Sequence, residues 1–195
     1  MSAAKISVAK KAISHIEKKL TSEVILGIGT GSTINFFIEE LGEFRNHFRG
    51  AVSSSEASTR LLKAKNIEVF SLNDVNEIEF YIDGADEVDS DLNLLKGGGG
   101  ALLQEKIVSS YSKKMLVIVD NNKVVTNLGK FPLPIEIVKF GSKCTQKQIE
   151  NTLLELGYSD FSINLRKEND DYFVTDEKHF ILDLSLKKIK QTFQI

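Results

Sequence analysis

The first 120 residues alternate short apolar runs with stretches of helical repeat, and that alternation leaves few folds open. The runs Val24–Ile28, Ala51–Ser53, Glu68–Leu72, Phe80–Ile82 and Met115–Val119 have the length of strands. Several are continuously apolar, which predicts strands buried on both faces. Between them, Ile6, Ala9, Ile13, Ile16 and Leu20 share one face of residues 3–20. Ile34, Phe37, Ile38 and Leu41 form a similar stripe on Ser32–Leu41. Ser58–Lys65 and Ala101–Tyr111 read as two further helices. The expected fold class is therefore α/β, a Rossmann-like parallel sheet with helices on both faces.

The pattern changes near residue 130, where both prolines of the chain, Pro132 and Pro134, lie. Beyond them a strand is expected at Ile135–Phe140 and a helix at Gln146–Leu156. Phe161–Leu165 and His179–Leu184 read as an antiparallel pair around a polar turn, and a last helix over Ser185–Phe193. This βαββα order predicts a small α+β (ferredoxin-like) domain. The expected division is a Rossmann-like catalytic domain at 1–128 and the small domain at 129–195.

Composition narrows the function. A chain of 195 residues with 42% hydrophobic and 27% charged residues reads as an ordinary globular protein. A net charge of −2 supplies no basic field for nucleic acid or an anionic membrane, so neither is an expected partner. The first 20 residues scatter lysines through their apolar positions and do not read as a signal peptide. The single cysteine, Cys144, excludes an internal disulfide and a cysteine-cluster metal site, which suits a reducing cytoplasm. His15, His47 and His179 have no metal spacing, and no metal site is expected.

The chemistry gathers in loops. GIGTGST, Gly27–Thr33, joins a strand to a helix and can turn backbone N–H groups and a helix N-terminus toward an anion. Its Ser32 stands where a dinucleotide fingerprint has its third glycine, and the Gly-Lys-Ser/Thr of a phosphate-binding P-loop is absent. The serines of VSSSEAST, Val52–Thr59, read first as helix caps. Asp83 and Asp86 sit at the end of an apolar strand, where open α/β sheets bind ligands. Glu87, Asp89 and Asp91 read as surface charges. Lys96 brings a cation to four consecutive glycines, Gly97–Gly100. Glu105 shares a helix face with Ala101, Leu102 and Val108, and partial desolvation there predicts a raised pKa suited to a general base. Lys123 follows a strand end and reads either as a surface lysine or as a ligand for a substrate oxygen.

Taken in order, GIGTGST, AVSSSEAST, DGADEVD, LLKGGGGALLQEKI and NKVVTNLGKFPLPIEI resemble ribose-5-phosphate isomerase of the A type. The resemblance runs collinearly from about residue 5 to 140 and more weakly to 184. It implies reversible interconversion of D-ribose 5-phosphate and D-ribulose 5-phosphate through a cis-enediolate, in the non-oxidative pentose phosphate pathway. It implies no metal or organic cofactor and a homodimer or homotetramer. Carried over by position, Thr30, Gly31, Ser32 and Thr33 line one substrate loop. Asp83, Gly84, Ala85 and Asp86 form a second, and Lys96, Gly97, Gly98 and Gly99 a third. Glu105 matches the family's catalytic base and Lys123 a substrate-binding lysine. Asp83, Asp86 and Lys96 are expected to assist the chemistry.

The family's small domain finishes with another strand and a return to the large sheet. This chain ends at Ile195, and its small domain is expected to be C-terminally shortened. Two other functions share the motifs in part. A sugar-phosphate sensor would keep the glycine loops but has no need of Glu105. A CoA transferase or amino-sugar phosphate isomerase on this fold would not pair DGADEVD with KGGGG.

Overall fold

The structure, a computed structural model, describes residues 2–186, 188 and 189. Its first half runs α1 (Ser2–Ile16), β1 (Ile25–Ile28), α2 (Ser32–Leu41), β2 (Gly50–Ser53), α3 (Glu56–Ala64) and β3 (Ile78–Asp83). There follow β4 (Glu87–Val88), β5 (Leu94–Leu95), α4 (Leu102–Tyr111) and β6 (Ser112–Val117). The remainder is β7 (Leu133–Ile137), α5 (Ser142–Glu155), β8 (Ser162–Leu165), β9 (Lys167–Glu168), β10 (Asp171–Tyr172) and β11 (Phe180–Ser185). These elements pack as two compact units, Met1–Ala85 with Leu103–Asn122, and Asp86–Leu102 with Lys123–Ile195. No helix among the described residues is long and apolar enough to cross a membrane.

In the first unit a parallel sheet has the order β2-β1-β3-β6. Side chains of a strand alternate between faces, and here the alternation feeds two cores. Leu26, Ile28, Phe80 and Ile82 pack with Ile13 and Ile16 of α1, Ile34 and Phe37 of α2 and Leu62 of α3. Ile25, Ile78 and Tyr81 pack with Val108 of α4. The sheet thus has helices on both faces, as the unbroken apolar strands predicted. Each fully buried Ile, Leu or Phe contributes about 1.5–3 kcal/mol relative to exposure. The helical stripe Ile34, Phe37, Ile38 and Leu41 is buried throughout. The strand expected at 68–72 shrinks to a single bridge between Ala51 and Val69. Ser71 stops it, because its hydroxyl accepts the Asn73 N–H and opens a 3-10 turn over Leu72–Asp74.

In the second unit β7, β11 and β8 form an antiparallel sheet with β11 central. Leu153 of α5 packs with Tyr158, Leu184 and Leu186 beneath it. The polar turn between β8 and β11 is itself a hairpin, β9–β10. The helix expected over 185–193 starts at Ser185, which closes β11, and residues 187 and 190–193 of that range lie outside the described residues.

Residues 86–102 belong to the second unit, whereas a linear division at 128/129 assigned them to the first. The reason is a polar closure far along the chain. β4 pairs with β5, and Val125 N–H donates to the Val88 carbonyl at 2.9 Å. The Glu87 carboxylate accepts the N–H groups of Gly129 at 2.7 Å and Phe131 at 2.6 Å. Glu87 is therefore a buried structural anion, 3% exposed, and not a surface charge. Asp89 does keep to the surface turn, where the Asn93 side chain holds its carboxyl below the usual range. Glu87→Ala strands two N–H groups that lose charge-assisted bonds. It is expected to destabilise the protein by about 2–5 kcal/mol, read as a lower unfolding midpoint; an unchanged midpoint would refute the assignment.

Candidate active site

The topology of the first unit picks out one place for a ligand. From β1 the chain goes on to β2 on one side, and from β3 it goes on to β6 on the other. Their loops leave in opposite directions, which opens a crevice beyond the carboxyl ends of β1 and β3. Ile28 pairs with Ile82 there, so residues 29–33 and 83–85 emerge side by side.

Asp83 is the anchor of that crevice. It is wholly buried, and Oδ1 accepts the N–H groups of Thr30 at 3.1 Å and Gly84 at 2.8 Å. Oδ2 accepts the Tyr81 hydroxyl at 2.7 Å. Gly29 makes the approach possible: a Cβ there would collide with the Asp83 carboxylate and lie 2.6 Å from the Asp83 Cβ. Burial above all, then the charges of Asp83 and Glu105, push the Tyr81 phenol far up, so it remains a donor at any working pH. Glu105 stands in the first turn of α4 and is 5% exposed. Two carboxylates of different elements therefore act on one buried phenol.

The serines of residues 53–58 do more than cap. Ser55 is the N-cap of α3, accepting the Ser58 N–H at 3.1 Å. It also receives the Thr30 hydroxyl at 2.8 Å, and Ser58 donates to the Gly29 carbonyl at 2.6 Å. Ser54, Ser55 and Ser58 are all buried. They and Tyr81 hold the 29–30 loop against Asp83, a role that a run of short polar residues does not announce.

The same loop ends in Gly31, whose φ is 115° and which caps α2 without a side-chain bond. The first-turn N–H groups of α2 thus face outward without a capping oxygen. Ser32 is exposed and accepts the Lys5 ammonium at 2.6 Å, while Thr33 is half-buried. Lys5 was legible only as the polar side of the first helix. Its signal is the contact with Ser32, 27 residues away.

In the second unit the β4–β5 hairpin sets Asp86 beside the glycine loop. Asp86 N–H donates to the Leu95 carbonyl at 2.8 Å, and Asp86 Oδ2 accepts the Gly98 N–H at 2.7 Å. Gly98 repeats the device of Gly29, since a Cβ there would lie 2.5 Å from Asp86 Oδ1. Lys96 is half-buried, Gly97 buried and Gly99 exposed. Lys123 is half-buried at the end of the 3-10 turn Asn121–Lys123. The first unit thus gathers Thr30, Asp83, Gly84 and Glu105, with Ser32 standing outside that bonded group. The second gathers Asp86 with Lys96–Gly98. Among the described residues no group of His, Cys, Asp and Glu is arranged to hold a metal ion.

Known proteins match this chain along its length. The family model for ribose 5-phosphate isomerase A (phosphoriboisomerase A) matches residues 50–195. The crystal structure of ribose 5-phosphate isomerase A from Neisseria gonorrhoeae is 41% identical with a TM-score of 0.81, over 96% of this chain and 77% of that one. Ribose 5-phosphate isomerase from Plasmodium falciparum is 34% identical with a TM-score of 0.85, over 98% and 81%. A D-ribose-5-phosphate isomerase in complex with phospho-erythronic acid is 34% identical with a TM-score of 0.83, over 98% and 82%.

Proposed function

The chain belongs to the ribose 5-phosphate isomerase A family, and from that membership we propose how its residues divide the reaction. That reaction is the interconversion of D-ribose 5-phosphate and D-ribulose 5-phosphate, an aldose–ketose isomerisation of the pentose phosphate pathway. A sensor or CoA transferase reading is thereby set aside.

Glu105 takes the proton from C2 of the open-chain aldose. The C–H electron pair becomes the C1–C2 double bond of a cis-enediolate, and the carbonyl pair moves onto O1. Glu105 then returns the proton to C1, while the O2 hydroxyl proton passes to O1 and leaves a ketone at C2. Lys96 and the N–H groups of the 97–99 loop stabilise the charge that develops on oxygen. Asp83 and Asp86 exchange protons with sugar hydroxyls and assist furanose opening. Lys123 holds a substrate oxygen.

Thr30–Thr33 receive the phosphate, with the α2 N-terminus and the Lys5 ammonium beside Ser32 supplying positive potential. A phosphate held away from C1 and C2 orients the sugar without taking part in the chemistry. Family membership also supports a homodimer or homotetramer. It supports a cytoplasmic setting too, in which the exposed Cys144 stays reduced.

One observation carries the assignment of the base. Glu105 is a buried carboxylate whose charge reaches the same phenol that Asp83 binds, at the carboxyl ends of the switch-point strands. The test is turnover of ribose 5-phosphate in D₂O with EDTA present. The rate is expected to be unaffected by the chelator, and deuterium to enter C1 of the ketose. Ketose free of deuterium after many turnovers would argue for a hydride shift and against a carboxylate base.

A further inference from the structure

Arg166 lies between β8 and β9, and its backbone is pinned on both sides. Its N–H donates to the Ile181 carbonyl at 2.8 Å, and its carbonyl accepts the Phe173 N–H at 3.0 Å. The side chain is only 14% exposed. Nε and Nη2 grip the two oxygens of Asp183, the first at 2.9 Å. The guanidinium also stands 5.9 Å from the centre of the Phe173 ring. With the fork fixed in this way, Nη1 donates to two successive carbonyls, Gly97 at 3.2 Å and Gly98 at 3.0 Å.

The consequence follows from peptide geometry. In a trans peptide the carbonyl and the next N–H point in opposite directions, and no peptide bond here is cis. In an extended chain successive carbonyls alternate, so two on one cation require a local turn. The turn centred on Gly98 and Gly99 supplies it, closed by the Gly100 N–H donating to the Gly97 carbonyl at 3.0 Å. The N–H groups of Gly98 and Gly99 therefore share the side away from Arg166, as in the anion-binding concavities formed by successive amides. The first of them reaches Asp86 Oδ2 at 2.7 Å. The second belongs to Gly99, which is exposed. A cation on the carbonyl side also polarises both peptides and strengthens these donors.

We propose that Arg166, held by Asp183, is a positioning residue that aims the Gly99 N–H group, and Asp86 through its bond to the Gly98 N–H, at the reacting sugar oxygens. This rests on the reading of Lys96–Gly99 as a substrate loop. Arg166 touches no substrate atom in this scheme. Lysine cannot replace it, because one ammonium cannot bridge a carboxylate and two carbonyls in a fixed plane.

The experiment compares Arg166→Lys, Asp183→Asn, the double variant and Lys96→Met, a variant of the loop itself, with wild type. For each, kcat, KM for ribose 5-phosphate and the unfolding midpoint are measured. Arg166→Lys is expected to fold and to lose kcat about 10- to 100-fold, since misaimed groups cost rate steeply. KM should change much less, because the donors act on charge that appears in the transition state. Asp183→Asn should show the same split, and the double variant should be no worse than the poorer single one. Arg166→Lys with kcat within about twofold of wild type, beside a crippled Lys96→Met, would overturn the inference and leave the loop reading intact. If Lys96→Met also kept full kcat, the loop reading would fail first. Losses that merely track the folded fraction at the assay temperature would make Arg166 structural support and overturn the proposal.

Discussion

Glu105→Gln is expected to lower kcat by at least about 10³-fold while the protein stays folded and still binds ribose 5-phosphate. The three parts of that result have separate causes. Glutamine has nearly the shape of glutamate, so the packing of the first turn of α4 near Val108 is kept. It has no basicity at neutral pH, so the C2 proton has no acceptor. It keeps an oxygen that accepts hydrogen bonds and carries no charge to repel the sugar oxygens, so ribose 5-phosphate still binds. The fold should hold as activity disappears. That opposition separates loss of a base from loss of a fold. The checks are a ketose assay, calorimetric binding of ribose 5-phosphate to the inactive variant, and a thermal melt. Retention of near-full activity would mean that another group takes the proton.

What was legible in the sequence was whatever repeats locally. The stripe Ile34, Phe37, Ile38 and Leu41 recurs at helical spacing, and all four side chains are buried. Strand runs were legible as runs, and the pairing of β8 with β11 follows from a polar turn between two alternating segments. Asp83 stood out because it closes an apolar strand, and it does close β3. What stayed hidden was polar closure at long range. Glu87 meets Gly129 and Phe131, 42 and 44 positions on, and no local pattern marks it as buried. Arg166 meets Gly97 and Gly98 across 69 and 68 positions. Ser55 carries a local signal as a cap, and that signal masked its bond to Thr30. Such contacts depend on which loops the topology brings together, and that is known only once the sheet order β2-β1-β3-β6 is known. The shortened strand at 68–72 is the converse, a local Ser71 turn overriding a good β pattern.

Gly29→Ala is expected to disable the enzyme nearly as severely as loss of the base, by a different route. The added methyl group has no room, because it collides with the Asp83 carboxylate and lies 2.6 Å from the Asp83 Cβ. Neither side can yield cheaply. Gly29 N–H is bonded to the Ile82 carbonyl at 2.8 Å and the Gly29 carbonyl to Ser58 at 2.6 Å, so the loop cannot lift without breaking both. Asp83 cannot swing aside without abandoning Thr30, Gly84 and the Tyr81 hydroxyl, which would then be a buried donor without its carboxylate. Overpacking of this kind costs about 1–3 kcal/mol or more in stability. A displaced Asp83 and Thr30 should lower kcat/KM by about 10²-fold or more. Gly141→Ala is the matched control. Its Cβ meets nothing within 4 Å, so it carries only the strain of a φ of 69°, about 1–3 kcal/mol, away from every residue assigned to the substrate. Kinetics and melts of the two variants decide the point. If Gly29→Ala were as active as Gly141→Ala, the contact between Gly29 and Asp83 would not be what holds the crevice in its working shape.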